Sequence, residues 1–326
     1  MPTLKEIALQ AGVSAALISA YLNGRSSARM SMETKRRIDA ALRKTGYKPN
    51  PVAKALRTGR SGIIGYLASS LQNEVGQQEQ VCFHEILAAH GYRMITRYTK
   101  NEYLLFMEGC QELIQMGCDG LIINRIAHKE MLDFCAALPV PTVSICQSPE
   151  WNSYDFTIAL DYSTGVRHAL QHLIDSGYKH TVFLSHPQPE NNSDPRFLVY
   201  REFFPEGPCE FYPREEMFDP GWIRDILKRH PETDSFFCFN DLCAIAAWGT
   251  LNELGYRVPQ DFALIGFDDL PAAAALRLAS ISKPQKEMVE NAVVLLKAGI
   301  KKQITEVTRL FPAKFILRRS CIKNLQ

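Results

Sequence analysis

The chain has 326 residues, and its 37 Lys and Arg residues against 35 Asp and Glu residues give a net charge of +2. This length allows two or three domains with a substantial apolar core, and no apolar run approaches the roughly 18 residues that cross a bilayer. The first residues lack the apolar segment and cleavage site of a secretory signal, so we expect a cytoplasmic protein. The 9 cysteines are scattered without a zinc-like spacing, which favours reduced thiols and no metal site.

The near-neutral total conceals a strong charge asymmetry. Residues 1–60 contain 12 basic and 3 acidic side chains, a net charge of +9, whereas the rest of the chain carries −7. A basic segment joined to an acidic body is typical of a nucleic-acid-binding module attached to another domain.

Two short helical patterns joined by a glycine open the chain. Apolar residues recur at helical spacing from Leu4, Gly12 permits a tight turn, and Ser14 is a good N-cap for the second helix. A third, basic helix begins at Ser31. This arrangement predicts an all-α helix-turn-helix DNA-binding domain over residues 1–49, whose second helix enters the major groove.

The residues expected on the outer face of the second helix are small: Ala15, Ala16, Ser19 and Ala20. Direct base readout normally uses Arg, Asn or Gln side chains. Ser hydroxyls, thymine-methyl contacts and DNA shape would therefore carry more of the specificity. An ordinary three-helix bundle is the alternative interpretation of the segment, and a purely structural role is the alternative for any single outward alanine.

A short hinge helix and linker are predicted over residues 50–61. Asn50 and Pro51 supply an N-cap and a first helical residue, and Gly59 lies where a C-terminal cap belongs. A helix of about eight residues is unstable alone in water, so we expect DNA and a second copy of the chain to order it. Leu56 is apolar in a basic segment; it either inserts into a minor-groove base step or packs on the sister hinge helix.

From Gly62 onward, apolar runs alternate with helical patterns. Seven strands are predicted to start near residues 63, 92, 120, 141, 181, 235 and 262, and helices are predicted over 76–90, 101–117, 128–138, 163–176, 241–255 and 285–299. The alternation predicts an α/β body of two parallel-sheet lobes, with a ligand cleft at the carboxyl ends of the strands. No P-loop, nucleophile elbow or H-E-x-x-H motif is present, so we expect neither catalytic residues nor a cofactor.

Several motifs give the chain a specific resemblance. They are A-L-Q-A-G-V-S, L-N-G and G-Y-K-P-N-P-V-A-K-A-L-R-T-G-R-S near the amino terminus, then F-N-D-L, V-P-x-D, I-G-F-D-D and S-I-S-K-P-x-x-E-M in the body. The chain resembles the lac repressor/galactose repressor family of bacterial transcription regulators. The resemblance implies a two-lobed body over residues 62–326 that is similar to periplasmic sugar-binding proteins. Lobe one would comprise about 62–158 and 285–308, and lobe two about 159–284 and 309–326.

The resemblance also implies site residues. DNA-contact positions are Leu4, Ser14, Ala15, Ala16, Ser19, Ala20, Asn23, Arg29, Ser31, Asn50, Ala53 and Leu56. Members of the family often carry Arg at the position of Ala20, so the operator sequence is not implied.

Effector-contact positions in the cleft are Ser70, Asn73, Arg196, Asp241 and Asp268. The alternative for Arg196 is that it lies on a helix surface in contact with solvent. The alternative for Asp241 and Asp268 is that they cap helices. Ser70 stands where the family usually has an acid, and the aromatic pair that usually follows is absent.

These observations predict a homodimeric, sequence-specific transcriptional regulator, a repressor, that binds a pseudo-palindromic double-stranded operator. A small polar effector, a sugar or sugar phosphate, would bind in the cleft and shift the orientation of the lobes. One alternative is a DNA-binding regulator whose cleft is vestigial and controlled by a protein partner or not at all. A second is a small-molecule binding protein without gene regulation. No membrane partner is expected.

Overall fold

The computed structural model describes residues 2–22, 30–47, 51–70, 74–124, 129–146, 156–185, 194–211, 219–303 and 307–323. The chain divides into two compact units, Met1–Ser61 and Gly62–Gln326. Among the described residues, no helix combines the length and apolar content needed to cross a membrane.

The first four described helices lie in the first unit, and the other helices and all the described strands lie in the second. In chain order, the helices are α1 (Leu4–Ala11), α2 (Ala15–Leu22), α3 (Met32–Thr45), α4 (Pro51–Thr58), α5 (Glu74–Ala89), α6 (Tyr103–Gln115), α7 (Lys129–Ala136), α8 (Tyr162–Asp175), α9 (Pro195–Phe203), α10 (Pro220–Arg229), α11 (Asp241–Glu253), α12 (Pro271–Ala275) and α13 (Gln285–Ile300). The strands are β1 (Ile63–Ala68), β2 (Arg93–Tyr98), β3 (Gly120–Ile123), β4 (Thr142–Cys146), β5 (Phe156–Asp161), β6 (Thr181–Ser185), β7 (Cys209–Phe211), β8 (Ser235–Cys238), β9 (Ala263–Ile265), β10 (Ser280–Ser282), β11 (Val307–Pro312) and β12 (Lys314–Ile316).

The amino-terminal unit is helical, as predicted. A capping box at Thr3 and Glu6 starts α1, and Gly12 ends it in the left-handed conformation with φ of 61°, which glycine adopts without steric cost. A small apolar core joins α1, α2 and α3; its buried members are Ile7, Ala8, Ala11, Ile18, Ile38 and Ala41.

The second unit contains two parallel sheets. The first sheet has the strand order β11-β5-β4-β3-β1-β2, and the second has the order β7-β6-β8-β9. Every pairing within both sheets is parallel, whereas β10 and β12 form a separate antiparallel pair. Within the described residues, a helix lies between successive strands of each sheet except between β4 and β5, whose connection over 147–155 lies outside them. Such helical crossovers are the usual connection between parallel strands.

The chain passes between the two sheets three times. It leaves the first sheet where β5 meets α8, returns where β10 is followed by α13, and leaves again where β11 is followed by β12. One continuous apolar cluster spans this region, since it includes Phe156 and Ile158 of β5 together with Phe183 of β6 and Phe237 of β8.

The six helices predicted in the body are present, and their ends differ from the predicted ones by at most two residues. The prediction of seven strands was too low for the described residues, because β5, β7, β10, β11 and β12 were missed. The strands β7, β10 and β12 have only three residues each, too few to show alternation. Strand β5 runs directly into α8 without a Gly or Pro between them, so its apolar run merges with the helical pattern.

Two helical glycines offer a matched test of the packing at the crossings. A Cβ at Gly165 of α8 would lie 3.0 Å from the backbone of Ala313 and 2.9 Å from the Ile281 side chain. Substitution of Gly165 by Ala should therefore lower the free energy of unfolding by about 1–3 kcal/mol. A Cβ at Gly249 of α11 would meet nothing within 4 Å, so Gly249→Ala should raise it by up to about 1 kcal/mol. Chemical denaturation measures both, and equal effects would contradict the packing at Gly165.

Candidate functional site

The second helix of the amino-terminal unit is held in place from both ends. Ser14 accepts a hydrogen bond from the Leu17 amide at 3.2 Å, which caps α2. Near the other end, the Tyr21 hydroxyl donates to Asp39 of α3 at 2.7 Å, and this hydrogen bond raises the pKa of Tyr21. Ile18 is fully buried beneath the helix. These contacts fix which face of α2 points outward.

The outward face of α2 carries the predicted small residues. Ala16 is exposed, and Ala15, Ser19 and Ala20 are half-buried. The remaining DNA-contact predictions divide by exposure: Leu4 is half-buried, and Ser14, Ser31, Ala53 and Leu56 are exposed. Asn23, Arg29 and Asn50 lie outside the described residues.

Basic side chains lie on the exposed surface of α3. Arg36, Arg37, Arg43 and Lys44 are exposed, and a Cβ at Gly12 would lie 3.4 Å from the Arg37 guanidinium. Arg37 therefore lies over the turn between α1 and α2. Ser31 caps α3 by accepting from the Thr34 amide at 3.1 Å.

A second polar site lies at the carboxyl ends of the strands of the body. Its core is a set of seven residues, here called the junction cluster: Tyr66, Glu79, Asn124, Tyr162, Arg196, Asp268 and Lys283. Tyr66, Glu79 and Asn124 lie on or beside elements of the first sheet, and Tyr162 directly follows its strand β5. Arg196 and Asp268 lie beside the second sheet, and Lys283 directly follows β10.

Glu79 is the acceptor on the side of the first sheet. The Tyr66 hydroxyl and the Asn124 amide both donate to the same Glu79 oxygen, at 2.7 and 2.6 Å. Ser69 in turn donates to Asn124 at 2.7 Å. Burial raises the pKa of Glu79, and the two hydrogen bonds and the nearby Lys283 ammonium oppose that rise. Parallel pairing of β1 with β3 brings Tyr66, Ser69 and Asn124 to one edge of the sheet.

Arg196 lies in α9, beside the second sheet, and its contacts fix the position of its side chain. Its guanidinium contacts the buried Asp194 carboxylate at 2.7 Å and donates to the Phe239 carbonyl at 2.5 Å. Burial disfavours the charge on Arg196, but the Asp194 carboxylate outweighs it and raises the Arg196 pKa. The guanidinium also lies 5.2 Å from the ring centroid of Phe267, which stacks on Tyr162 at 5.3 Å.

Lys283 follows β10 at the crossing that returns the chain to the first sheet. Its ammonium pairs with Asp268 at 2.8 Å, and the two side chains are 19% and 15% exposed. Burial opposes the charge on Lys283, but Asp268, Tyr162 and Glu79 together raise its pKa. Asp268 adopts a positive φ of 104°, a backbone strain that points to a functional loop. Asp268 does not cap α12, whose N-cap is Leu270 without a side-chain bond.

Asp241 is a buried carboxylate beside the loop that carries Asp268. Its side chain is fully buried, and its oxygens accept from the Ser280 hydroxyl at 2.5 Å and the Leu270 amide at 2.7 Å. The N-cap of α11 is Asn240, not Asp241, since Asn240 accepts from the Cys243 amide. Asp241 therefore anchors the loop that carries Asp268.

The predicted effector residues are brought together only in part. Arg196 and Asp268 both belong to the junction cluster, Ser70 is half-buried beyond the end of β1, and Asn73 lies outside the described residues. Sequence reasoning missed Tyr66, Glu79, Asn124, Tyr162 and Lys283. Asn124, Tyr162 and Lys283 directly follow β3, β5 and β10, so the rule that ligands bind at carboxyl ends of strands could have found them. Among the described residues, no group of His, Cys, Asp and Glu could hold a metal ion.

The burial of Asp241 predicts a pH dependence of stability. Burial raises its pKa from 3.8 to about 7 in the folded chain, so its stabilising contribution is present below about pH 4 and is lost as the pH rises through 7. Asp241→Asn keeps an acceptor for the Leu270 amide and removes the charge. From pH 4 to 8 the wild type should lose about 2–4 kcal/mol of unfolding free energy relative to this variant.

Urea denaturation at stepped pH measures the difference. The matched control is Asp261, a half-buried carboxylate whose hydrogen bond from Arg257 lowers its pKa to about 2. For Asp261→Asn the relative change should be small and opposite in sign. Parallel pH profiles of wild type and Asp241→Asn would contradict the assignment.

Comparison with known proteins matches both units. The family model of the lacI family of bacterial regulatory proteins matches residues 3–50, and that of the periplasmic binding protein-like domain matches residues 170–321. The chain is 28% identical to the ribose operon repressor of Bacillus subtilis strain 168, over 99% of this chain and 100% of that one. It is 26% identical to the HTH-type transcriptional regulator GntR of Escherichia coli K12, over 92% of each chain.

Solved structures share the fold. The lac repressor dimer bound to operator and the anti-inducer ONPF superposes with a TM-score of 0.82 at 20% identity, covering 98% of this chain and 99% of that one. The complex of the transcriptional regulator CelR with cellobiose gives a TM-score of 0.68 at 22% identity, covering 98% and 100%. The chain therefore combines the amino-terminal domain of the lacI family of bacterial regulatory proteins with a periplasmic binding protein-like body.

Proposed function

We propose that this chain is a cytoplasmic, homodimeric repressor that binds a pseudo-palindromic DNA operator and is not an enzyme. The observation that carries the proposal is the amino-terminal unit: a capped α2 whose small side chains point outward, beside four exposed cations on α3. Its net charge of +9 over residues 1–60 suits the phosphate backbone, which supplies most sequence-independent affinity.

Within this proposal, α2 enters the major groove and the flanking residues position it. Ala15, Ala16, Ser19 and Ala20 would face base edges, whereas Ser14 and Ser31, at helix N-termini, would lie near phosphates. Two copies are required because a pseudo-palindrome mirrors the two-fold symmetry of a dimer. Asn23, Arg29 and Asn50 keep the DNA-contact roles that the family resemblance implies.

Selection from a random duplex library with the full chain tests this proposal. A repressor of this kind should enrich one pseudo-palindrome, and its affinity should fall steeply with salt, by about 1000-fold or more between 50 and 200 mM. A basic protein without sequence specificity shows the same salt dependence but enriches no motif, and that result would refute specific recognition.

Leu56 allows a sharper test of the hinge. Its side chain is 84% exposed in α4, and Leu9 in α1 is a matched leucine at 85%. If Leu56 inserts into a base step, Leu56→Ala should weaken operator binding about tenfold and reduce the bend angle measured by resonance energy transfer, since the kink depends on an apolar wedge. Leu9→Ala should change neither quantity. An unchanged bend in Leu56→Ala would leave packing on the sister helix as the role of Leu56.

For the body, we propose that a small, uncharged, polyhydroxylated effector binds at the junction cluster. Arg196 and Lys283 are already paired with Asp194 and Asp268, and Glu79 adds a further acidic group. A phosphate group would have to displace these carboxylates, so a neutral sugar suits the cluster better than a sugar phosphate. Ser70 and Asn73 would complete the site from the first sheet's side.

Internal pairing also favours a second candidate, a regulator whose cleft no longer binds small molecules. Glu79 with Asn124, Arg196 with Asp194, and Lys283 with Asp268 satisfy one another without a ligand. Thermal shift of the full chain against matched sugars and sugar phosphates separates the candidates. A ligand at 100 times its dissociation constant adds about 2.7 kcal/mol of stability; a panel without any shift would favour the second candidate.

With a sugar that raises the melting temperature, a substitution at Arg196 tests whether this residue binds the sugar. Arg196→Lys retains the charge near Asp194 but loses the planar fork, so ligand affinity should fall at least tenfold while operator affinity stays within twofold. Arg224→Lys, at an exposed ion pair with Glu253, is the matched control and should bind the sugar normally. Equal ligand affinity in both variants would remove Arg196 from the site.

A further inference from the structure

The side chains of α2 lack the usual means of reading bases. The helix reads A-A-L-I-S-A-Y-L, and Ser19 and Tyr21 are its only polar side chains. Tyr21 is turned toward α3, where its hydroxyl donates to Asp39 at 2.7 Å. No side chain of α2 can therefore form the paired hydrogen bonds by which Arg reads guanine or Asn and Gln read adenine.

What α2 presents instead is methyl groups. Ala15, Ala16 and Ala20 lie on one face with Ser19, since positions separated by four share a helix side. This face is opposite to Ile18, which is fully buried against α1 and α3. The outward face is therefore apolar except for the Ser19 hydroxyl, whereas the exposed surface of the adjacent α3 carries Arg36, Arg37, Arg43 and Lys44.

Those cations indicate which partner covers the apolar face. Exposed cations in the same small helical unit attract duplex DNA, and the major-groove edges of the bases contain a single apolar group, the C5 methyl of thymine. Alanine side chains are also short enough to let the helix backbone approach the groove closely. Exposed cations on α3 together with small methyl groups on α2 thus match a groove in which methyl groups lie between phosphate backbones.

We propose that α2 selects its half-site through the thymine C5 methyl groups that contact Ala15, Ala16 and Ala20, and not through base hydrogen bonds. This inference rests on the proposed function, because it assumes that α2 enters the major groove. At the positions facing α2, the operator requires a C5 methyl group, whichever base carries it. Residues 23–29 can still read other positions by hydrogen bonding.

Base analogues test the proposal without altering the protein. In the operator selected by the full chain, each thymine is replaced in turn by deoxyuridine, which removes the methyl group and keeps every hydrogen-bonding group. At two or more thymines per half-site the dissociation constant should rise about threefold to fivefold, the factor expected when one methyl group loses an apolar contact. At those same positions, 5-methylcytosine paired with guanine should bind more tightly than unmethylated cytosine.

A protein variant ties the effect to α2. Ala16→Ser places a hydroxyl on the most exposed position of the face and retains the helix, so the deoxyuridine penalty at one thymine should shrink to less than twofold. Gln115→Ser, on the exposed end of α6, should leave the penalty unchanged. Circular dichroism confirms that both variants remain helical.

Three results would contradict readout through thymine methyl groups. Deoxyuridine substitutions that all change affinity less than 1.5-fold would overturn methyl readout while leaving DNA recognition intact. Self-association of the chain through α2, detected as loss of DNA binding at high protein concentration and its recovery in Ala16→Ser, would assign the face to a second copy and also overturn it. Failure to enrich any operator would refute the proposed function itself, and this inference with it.

Discussion

The ion pair between Lys283 and Asp268 organises the region where the two sheets meet. Lys283 lies directly at a crossing between the sheets, and Asp268 lies on a strained loop anchored by Asp241. Leaving a partly buried charge unpaired costs about 3–5 kcal/mol, so each partner keeps the other in place. Lys283 acts electrostatically on Glu79 and Tyr162 as well, and groups on both sheets therefore depend on one ammonium.

The same dependence makes this region suited to respond to a ligand. A ligand shifts an equilibrium only by the difference in its affinity for the two states. A molecule that competes for both the hydrogen bonds of Asn124 and the charge of Arg196 alters contacts on both sheets at once. An uncharged polyol can exchange such contacts one for one without leaving a carboxylate such as Asp194 unpaired.

Features that depend on residues close together in the sequence are predicted better than features that depend on how strands pair in a sheet. The turn at Gly12 and the cap at Ser14 act within a few residues, and the amino-terminal fold was predicted correctly from such signals together with the helical spacing of apolar residues. Glu79 is bonded to Asn124, 45 residues away, through the pairing of β1 with β3, which no local pattern specifies. Arg196 was predicted from resemblance, but its pairing with a buried Asp194 carboxylate was not, because the burial of that carboxylate depends on tertiary packing.

The three crossings have a consequence for synthesis of the chain on the ribosome. The amino-terminal unit is contiguous within its first 61 residues, so it can fold as soon as it emerges. The first sheet needs β11, which begins at Val307 and pairs with β5, and its apolar face needs α13. From the synthesis of Asp161 until α13 and β11 have been made, β4 and β5 are therefore present without the elements that cover them. The DNA-binding unit is complete well before the body that is proposed to control it, and a chain that stops before Gln285 exposes apolar strands that favour aggregation.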